Sequence, residues 1–237
     1  ISGNYGFADG INAQDDLYTV LVRGRQDGQT VDEARMISSC SRCLNPYREN
    51  DYAEIMKVAV SDDLEIIVSN TTEAGIVYTG KDSFDDKPQA SYPGKLSRLL
   101  YERFTAFDGK KGSGFILLPC ELIDYNGRNL EECCVKTAEQ WGLSEAFKTW
   151  LKDENVFCST LVDRIVTGYP RDEEERQTLW NRLGYEDHLL VTGEPFALWV
   201  IESPRDLSEE LPLPACGLPV IFTGDQKPYK QRKVRIL

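Results

Sequence analysis

Two short runs of branched apolar residues constrain this chain more than any other feature. They are L-E-I-I-V at Leu64–Val68 and F-I-L-L at Phe115–Leu118. Runs this short and this apolar fit strands buried on both faces, the kind found in parallel sheets. Each is closed by a polar loop, and helical spacing follows. Leu96, Leu99, Leu100 and Phe104 lie on one face of a segment from Lys95 to Phe104, with Pro93 and Gly94 just before it. Further helices are expected over Leu130–Trp141, over Glu145–Lys152 (with Phe147, Trp150 and Leu151 on one face) and over Glu173–Leu183. Other strands are expected at Leu17–Val22, Leu189–Val191, Ala197–Ile201 and Pro219–Phe222, and a last helix opens near Tyr229. Ile55–Val60 carries apolar residues but is too short to assign, and Val156–Ile165 mixes apolar and polar residues without a clear period. Strands alternating with helices predict an α/β fold on a largely parallel sheet. In such sheets ligands bind at the carboxyl ends of the strands.

Composition narrows the function classes. With 237 residues, 41% of them hydrophobic, the chain can bury a full core. No apolar run approaches a bilayer span and no secretory leader opens the sequence. A formal net charge of −12 repels phosphate backbones and anionic lipid, so nucleic acid and membrane are poor partners. A local cationic cluster, Lys227, Lys230, Arg232, Lys233 and Arg235, still leaves room for a small anionic substrate. Of seven cysteines, Cys40 and Cys43 form a C-x-x-C, but no second pair exists and His188 is the single histidine. A structural metal is therefore not expected, and reduced thiols of a cytoplasmic protein are. The chain does not begin with Met and ends on the apolar Val234, Ile236 and Leu237, which reads as part of a longer protein.

Two segments follow the clearest strands. In the first, Ser69, Asn70, Thr71, Thr72 and Glu73 offer hydroxyl, amide and acid groups suited to ribose hydroxyls or a pyrophosphate edge. The same letters are common helix-capping chemistry. In the second, Glu121 and Asp124 are placed to bind polyol hydroxyls, or to cap the next helix. Asp163 and Arg164 interrupt an apolar stretch, either as a buried ion pair or as an acid feeding protons to a site. Lys233 lies beside Val234 and Ile236, with Lys230 and Arg232 close in sequence. Desolvation and neighbouring cations would lower its pKa far enough for base catalysis; a solvated basic helix face is the plainer alternative. No G-x-G-x-x-G opens any strand.

Longer stretches carry a resemblance. V-R-G (Val22–Gly24), D-E-A-R-M-I-S-S (Asp32–Ser39), S-N-T-T-E-A-G-I (Ser69–Ile76) and S-Y-P-G-K-L-S-R-L-L-Y-E-R-F (Ser91–Phe104) are similar to the polyol-specific long-chain dehydrogenases, the mannitol dehydrogenase group. So are L-P-C-E-L-I-D-Y-N-G (Leu118–Gly127), F-C-S-T-L-V-D-R-I-V-T-G-Y-P-R-D-E (Phe157–Glu173), E-P-F-A-L-W-V-I-E (Glu194–Glu202) and K-P-Y-K-Q-R-K-V-R-I-L (Lys227–Leu237). Within that group the chain most resembles the branch of altronate oxidoreductases, with fructuronate/mannonate and mannitol dehydrogenases as siblings. An isolated nucleotide-binding module without activity is the alternative from another class.

The resemblance implies a Rossmann-like NAD-binding domain with an expanded sheet over residues 1–226, lacking its first Gly-rich strand-turn. It implies that 227–237 open the first helix of a helical C-terminal substrate domain, and that the substrate is a keto-uronate or aldonate. Lys233 matches the family's catalytic lysine, and Asp163 the aspartate associated with its proton path. Ser69 through Glu73 match the loop lining the cofactor site, Thr72 and Glu73 most closely. The position where mannitol-type members carry an oxyanion-stabilising Asn is Leu122 here, which leaves the replacing group open; Asn126 is a candidate, and it and Glu121 are expected to bind substrate. Where mannitol-type members tend to carry an acid this chain has Lys230, expected to receive the substrate carboxylate.

Overall fold

A computed structural model describes residues 6–72 and 74–236, with side chains as far as Arg232. In chain order the elements are α1 (Phe7–Asn12), β1 (Tyr18–Gln26), β2 (Gln29–Ile37), α2 (Glu49–Ala59), β3 (Ile66–Ser69), α3 (Tyr92–Ala106), β4 (Ile116–Pro119), α4 (Asn126–Gln140) and α5 (Glu145–Asp153). There follow β5 (Val156–Phe157), β6 (Ser159–Asp163), β7 (Val166–Gly168), α6 (Glu173–Leu183), β8 (Val191–Gly193), β9 (Leu198–Glu202), a short 3-10 turn at Pro214–Cys216, β10 (Val220–Thr223) and α7 (Lys227–Ile236). The chain divides into two compact units, residues 1–51 with 163–197, and residues 52–162 with 198–237. Reading 1–226 as one domain does not separate them.

The first unit is a four-stranded sheet in the order β2-β1-β8-β7, with α1 and α6. β1 and β2 pair antiparallel across Asp27 and Gly28, whose φ angles of 52° and 78° form the mirror-image turn that suits the right-handed twist of a hairpin. β1 runs parallel to β8, and β7 antiparallel to it. Leu21, Leu190 and Leu179 form one small core, completed by Leu183 one turn along α6. α6 is bounded by sequence-local chemistry: Asp172 accepts the Glu175 N–H at 2.8 Å, and Gly184 at φ 82° ends it. Asp187, buried at 2% exposure, accepts from Thr19 N (2.6 Å), Leu189 N (2.8 Å) and Gln14 Nε2 (2.9 Å), tying the start of β1 to the segment before β8.

The second unit carries the parallel sheet. β3 runs parallel to β4, β4 to β5, and β9 to β10; a further sheet is ordered β10-β9-β6. β5 and β6 are separated by Cys158 alone, and Cys158 packs in one core with Ile116, Leu118, Ile201, Leu207, Leu211 and Val220. Full burial of each such aliphatic side chain contributes about 1.5–3 kcal/mol. α3 packs on α4 and α5. An edge-to-face set of rings, Phe84, Tyr101, Phe104, Trp141, Phe147 and Trp150, fills part of this layer. α4 presses its first turn onto β5 so closely that a Cβ on Gly127 would lie 2.2 Å from the Cys158 carbonyl oxygen. Among the described residues no helix is long and apolar enough to cross a membrane.

Most predicted elements are present, and α6 has the limits expected. β2 was not foreseen, because it is an edge strand exposed on both faces and rich in charge, so it carries no apolar alternation. β5 and β6 fall in the stretch without a period: polar Ser159 and Thr160 are buried there, at 2% and 5% exposure.

Candidate functional site

The polar loops expected to carry function sit side by side. β3 and β4 are parallel neighbours, with Ser69 opposite Pro119, so both chains leave the sheet at the same carboxyl edge. What joins the two loops is Glu121, 2% exposed. Its Oε1 accepts from Thr71 N at 3.0 Å and from Thr71 Oγ1 at 2.9 Å, and its Oε2 accepts from Ser69 Oγ at 3.2 Å. Neither capping alternative holds. No helix starts at Ser69 or Thr72, since the next begins at Tyr92, and Glu121 turns away from α4 to bind the other loop. Within the polar run, Ser69 and Thr71 are thus half-buried struts, while Asn70 and Thr72 are exposed. Thr72 holds a φ of 88°, an outlier for a β-branched residue and a mark of a backbone shaped by something other than local preference. Glu73 lies outside the described residues.

Asn126 is fully buried and its amide is consumed within the protein. Nδ2 donates to the carbonyls of Pro119 (2.9 Å), Glu121 (3.0 Å) and Thr160 (3.1 Å), and Oδ1 accepts from Thr160 N (2.8 Å) and Gly127 N (2.9 Å). An amide has two N–H donors and two good lone pairs, so nothing is left for a substrate oxygen. The expectation that Asn126 replaces the missing oxyanion donor is corrected accordingly: it braces the β4–α4 loop against β6. Glu121, buried and engaged through both oxygens by Ser69 and Thr71, likewise holds the loop. Leu122 is 63% exposed and contributes no polar group.

Asp124 and Lys230 form an ion pair, both largely exposed, linking the β4–α4 loop to α7. α7 starts at Lys227. The side chain of Lys233 lies outside the described ones. Asp163 closes β6, half-buried. Its neighbour Arg164 is exposed and donates Nε to the Glu194 carbonyl at 3.2 Å.

Sequence reasoning passed over four participants. Tyr92, first residue of α3, buries its hydroxyl beside Ser69 and Glu121, and burial pushes that phenol well above its ordinary value. Burial also pushes the Cys120 thiol up to about 11, which leaves it protonated and unreactive near neutral pH. Glu202 and Arg128 form a pair at 2.5 Å, the carboxylate buried. Their sequence signal was weak, because no spacing rule connects residues 74 apart.

A model of the mannitol dehydrogenase Rossmann domain matches residues 2–214. The chain belongs to the mannitol dehydrogenase family. Altronate oxidoreductases of this family from Enterobacter sp. (strain 638) and Escherichia coli O7:K1 are 49% and 50% identical over 232 residues, 98% of this chain. The chain spans 47% of the length of these curated relatives. Solved family-like structures share the fold. A D-sorbitol dehydrogenase in substrate-free form superposes with a TM-score of 0.76 at 20% identity, covering all of this chain and 49% of that one. Pseudomonas fluorescens mannitol 2-dehydrogenase, in ternary complex with NAD and D-mannitol, gives 0.74 at 23%, covering 99% and 47%.

Proposed function

We propose that this chain is the nucleotide-binding half of an NAD-dependent altronate oxidoreductase that interconverts D-tagaturonate and D-altronate. The observation that carries this is identity of about half to altronate oxidoreductases across 98% of the chain. On this reading 1–226 belong to the Rossmann-like domain, and 227–237 lead into a helical substrate domain. We place the enzyme in the cytoplasm, in keeping with seven free cysteines.

The residues present suit NAD by the chemistry of their donor set. Exposed Asn70 and Thr72 offer a neutral amide and a hydroxyl at the carboxyl edge of a parallel sheet, and the loop bearing them is fixed from below by Glu121. Ser69 and Thr71 hold that loop's shape, and Glu73 completes it in this reading. The nicotinamide cofactor, when bound, would supply a hydride as NADH to the keto carbon of the sugar acid, or accept one as NAD from the matching carbinol carbon. Lys233 gives a proton to the ketone oxygen in reduction and removes it from the hydroxyl in oxidation, and Asp163 serves the path by which that proton reaches solvent.

Lys230 receives the substrate carboxylate. Its present partner, Asp124, supports this: an ion pair whose side chains are 45% and 67% exposed contributes at most about 1 kcal/mol, so exchanging it for an anionic substrate costs little. Asn126 and Glu121 act behind the substrate by holding the β4–α4 loop.

NADH oxidation measured with tagaturonate, fructuronate and fructose, on the full-length protein and on this chain, tests the assignment. Tagaturonate turnover by the full-length protein alone is expected. A preference for fructose or fructuronate would move the protein to a sibling activity.

A further inference from the structure

We propose that Glu202 is a positioning residue: one buried carboxylate sets where helix α7 begins, and so where position 233 lies. β9 ends at Glu202, directly opposite Thr223 of β10, the strand from which the chain leads into α7. Although charged, Glu202 is only 7% exposed. Its two oxygens face different elements. Oε1 accepts from Arg128 Nη2 of α4 at 2.5 Å, and Oε2 accepts from Gln226 N at 2.9 Å.

Gln226 is where the α7 ladder starts, since its carbonyl accepts from Tyr229 N and Lys230 N, both at 3.1 Å. Its own N–H is therefore one of the donors a helix start leaves without an internal partner. A carboxylate there satisfies it and is favoured by the partial positive charge of the helix end. Arg128 lies in the first turn of α4 and stacks over the Tyr125 ring, 4.8 Å to its centre, which steadies the other side of the bridge. The Lys230–Asp124 pair ties α7 to the β4–α4 loop with both side chains exposed, whereas in the Glu202 bridge the carboxylate that meets the start of α7 is buried.

From Gln226 to Lys233 is two helical turns, a rigid lever of about 10 Å. A tilt at Gln226 is carried to 233 undiminished, and a misplacement of about 1 Å can cost a catalytic step about a hundredfold. This inference rests on the reading of Lys233 as the proton-transferring group.

The test uses the full-length protein with Glu202→Gln, Glu202→Ala and Arg128→Met, each assayed for kcat, KM for NADH, the urea midpoint, and hydrogen exchange of the amides at 224–232. Glu202→Gln is expected to speed exchange at the start of α7 and to lower kcat about ten- to a hundredfold, with KM for NADH within about twofold of wild type. Arg128→Met is expected to move both readouts in the same direction by less. Faster exchange with an unchanged kcat overturns the positioning role. A kcat loss that merely tracks the urea midpoint does so as well, and unchanged exchange overturns the tether itself. Should Glu202→Ala not fold, the other two variants decide. A wild-type protein inactive on tagaturonate, whose α7 exchange still depends on Glu202, strikes at the functional reading and leaves the tether standing.

Discussion

Replacing Asn126 separates a brace from a substrate ligand. Alanine there removes the amide and leaves at least the Thr160 N–H, the Thr160 carbonyl and the Glu121 carbonyl without the partner they have now. The site is fully buried, so water does not readily replace the lost bonds. A buried orphaned polar group costs about 1–3 kcal/mol, so two or three of them cost roughly 2–9 kcal/mol. That is a large share of a typical stability of about 5–15 kcal/mol. Asn126→Asp is the sharper probe. It keeps the oxygen that accepts from Thr160 N and Gly127 N, but turns a second oxygen toward three carbonyls. In the fold that carboxyl must hold its proton, so its pKa rises above the unfolded value of about 3.9. Between those two values the unfolded chain binds fewer protons, and stability falls as pH rises. Urea denaturation of wild type, Asn126→Ala and Asn126→Asp from pH 4 to 8 reads all of this. The reasoning is refuted if Asn126→Ala costs under about 0.5 kcal/mol while raising KM for the sugar acid, because the amide would then be facing substrate.

Four further outcomes are expected. Lys230→Met should raise KM for tagaturonate much more than KM for NADH, as steady-state kinetics of the full-length protein will show; equal effects would remove its carboxylate role. Thr72→Gly should relieve the positive φ and stabilise the fold by about 1 kcal/mol in urea melts, yet raise KM for NADH if that strained loop serves the cofactor. Gly127→Ala should destabilise by about 1–3 kcal/mol or more, since its Cβ meets the backbone of Cys158 and backbone cannot swing aside. For Asp82, burial pushes the carboxyl up, but bonds from the Ser91 hydroxyl and N–H, Ala90 N and Thr79 outweigh it and hold the group below the ordinary range. Its contribution is present above the unfolded pKa and lost as pH falls through the lower folded one. The stability gap between wild type and Asp82→Asn should thus close under acid, which urea midpoints at pH 3 and pH 7 will check.

The sequence by itself determined the α/β class, the helices α3 to α7 (but not α1 and α2) and the two loops that matter. Each of these is written in short-range terms: an apolar run at Ile66–Val68 or Phe115–Leu118, a face repeating every three or four residues in α3, an Asp172 cap and a Gly184 stop on α6. It also carried the family, through motifs long enough to be specific. Only tertiary structure decided what individual polar residues do there. Glu121 and Asn126 were placed in the right loop, but a list of letters does not say whether a carboxylate's lone pairs are already taken by Thr71 across a strand boundary, or an amide's by Thr160 thirty-four residues on. Glu202 had no local signal, since its partners Arg128 and Gln226 lie 74 and 24 residues away in the chain. Periodicity reports which face of an element meets the core, because that depends on neighbours three or four residues away. Hydrogen-bond saturation depends on atoms that only folding brings together.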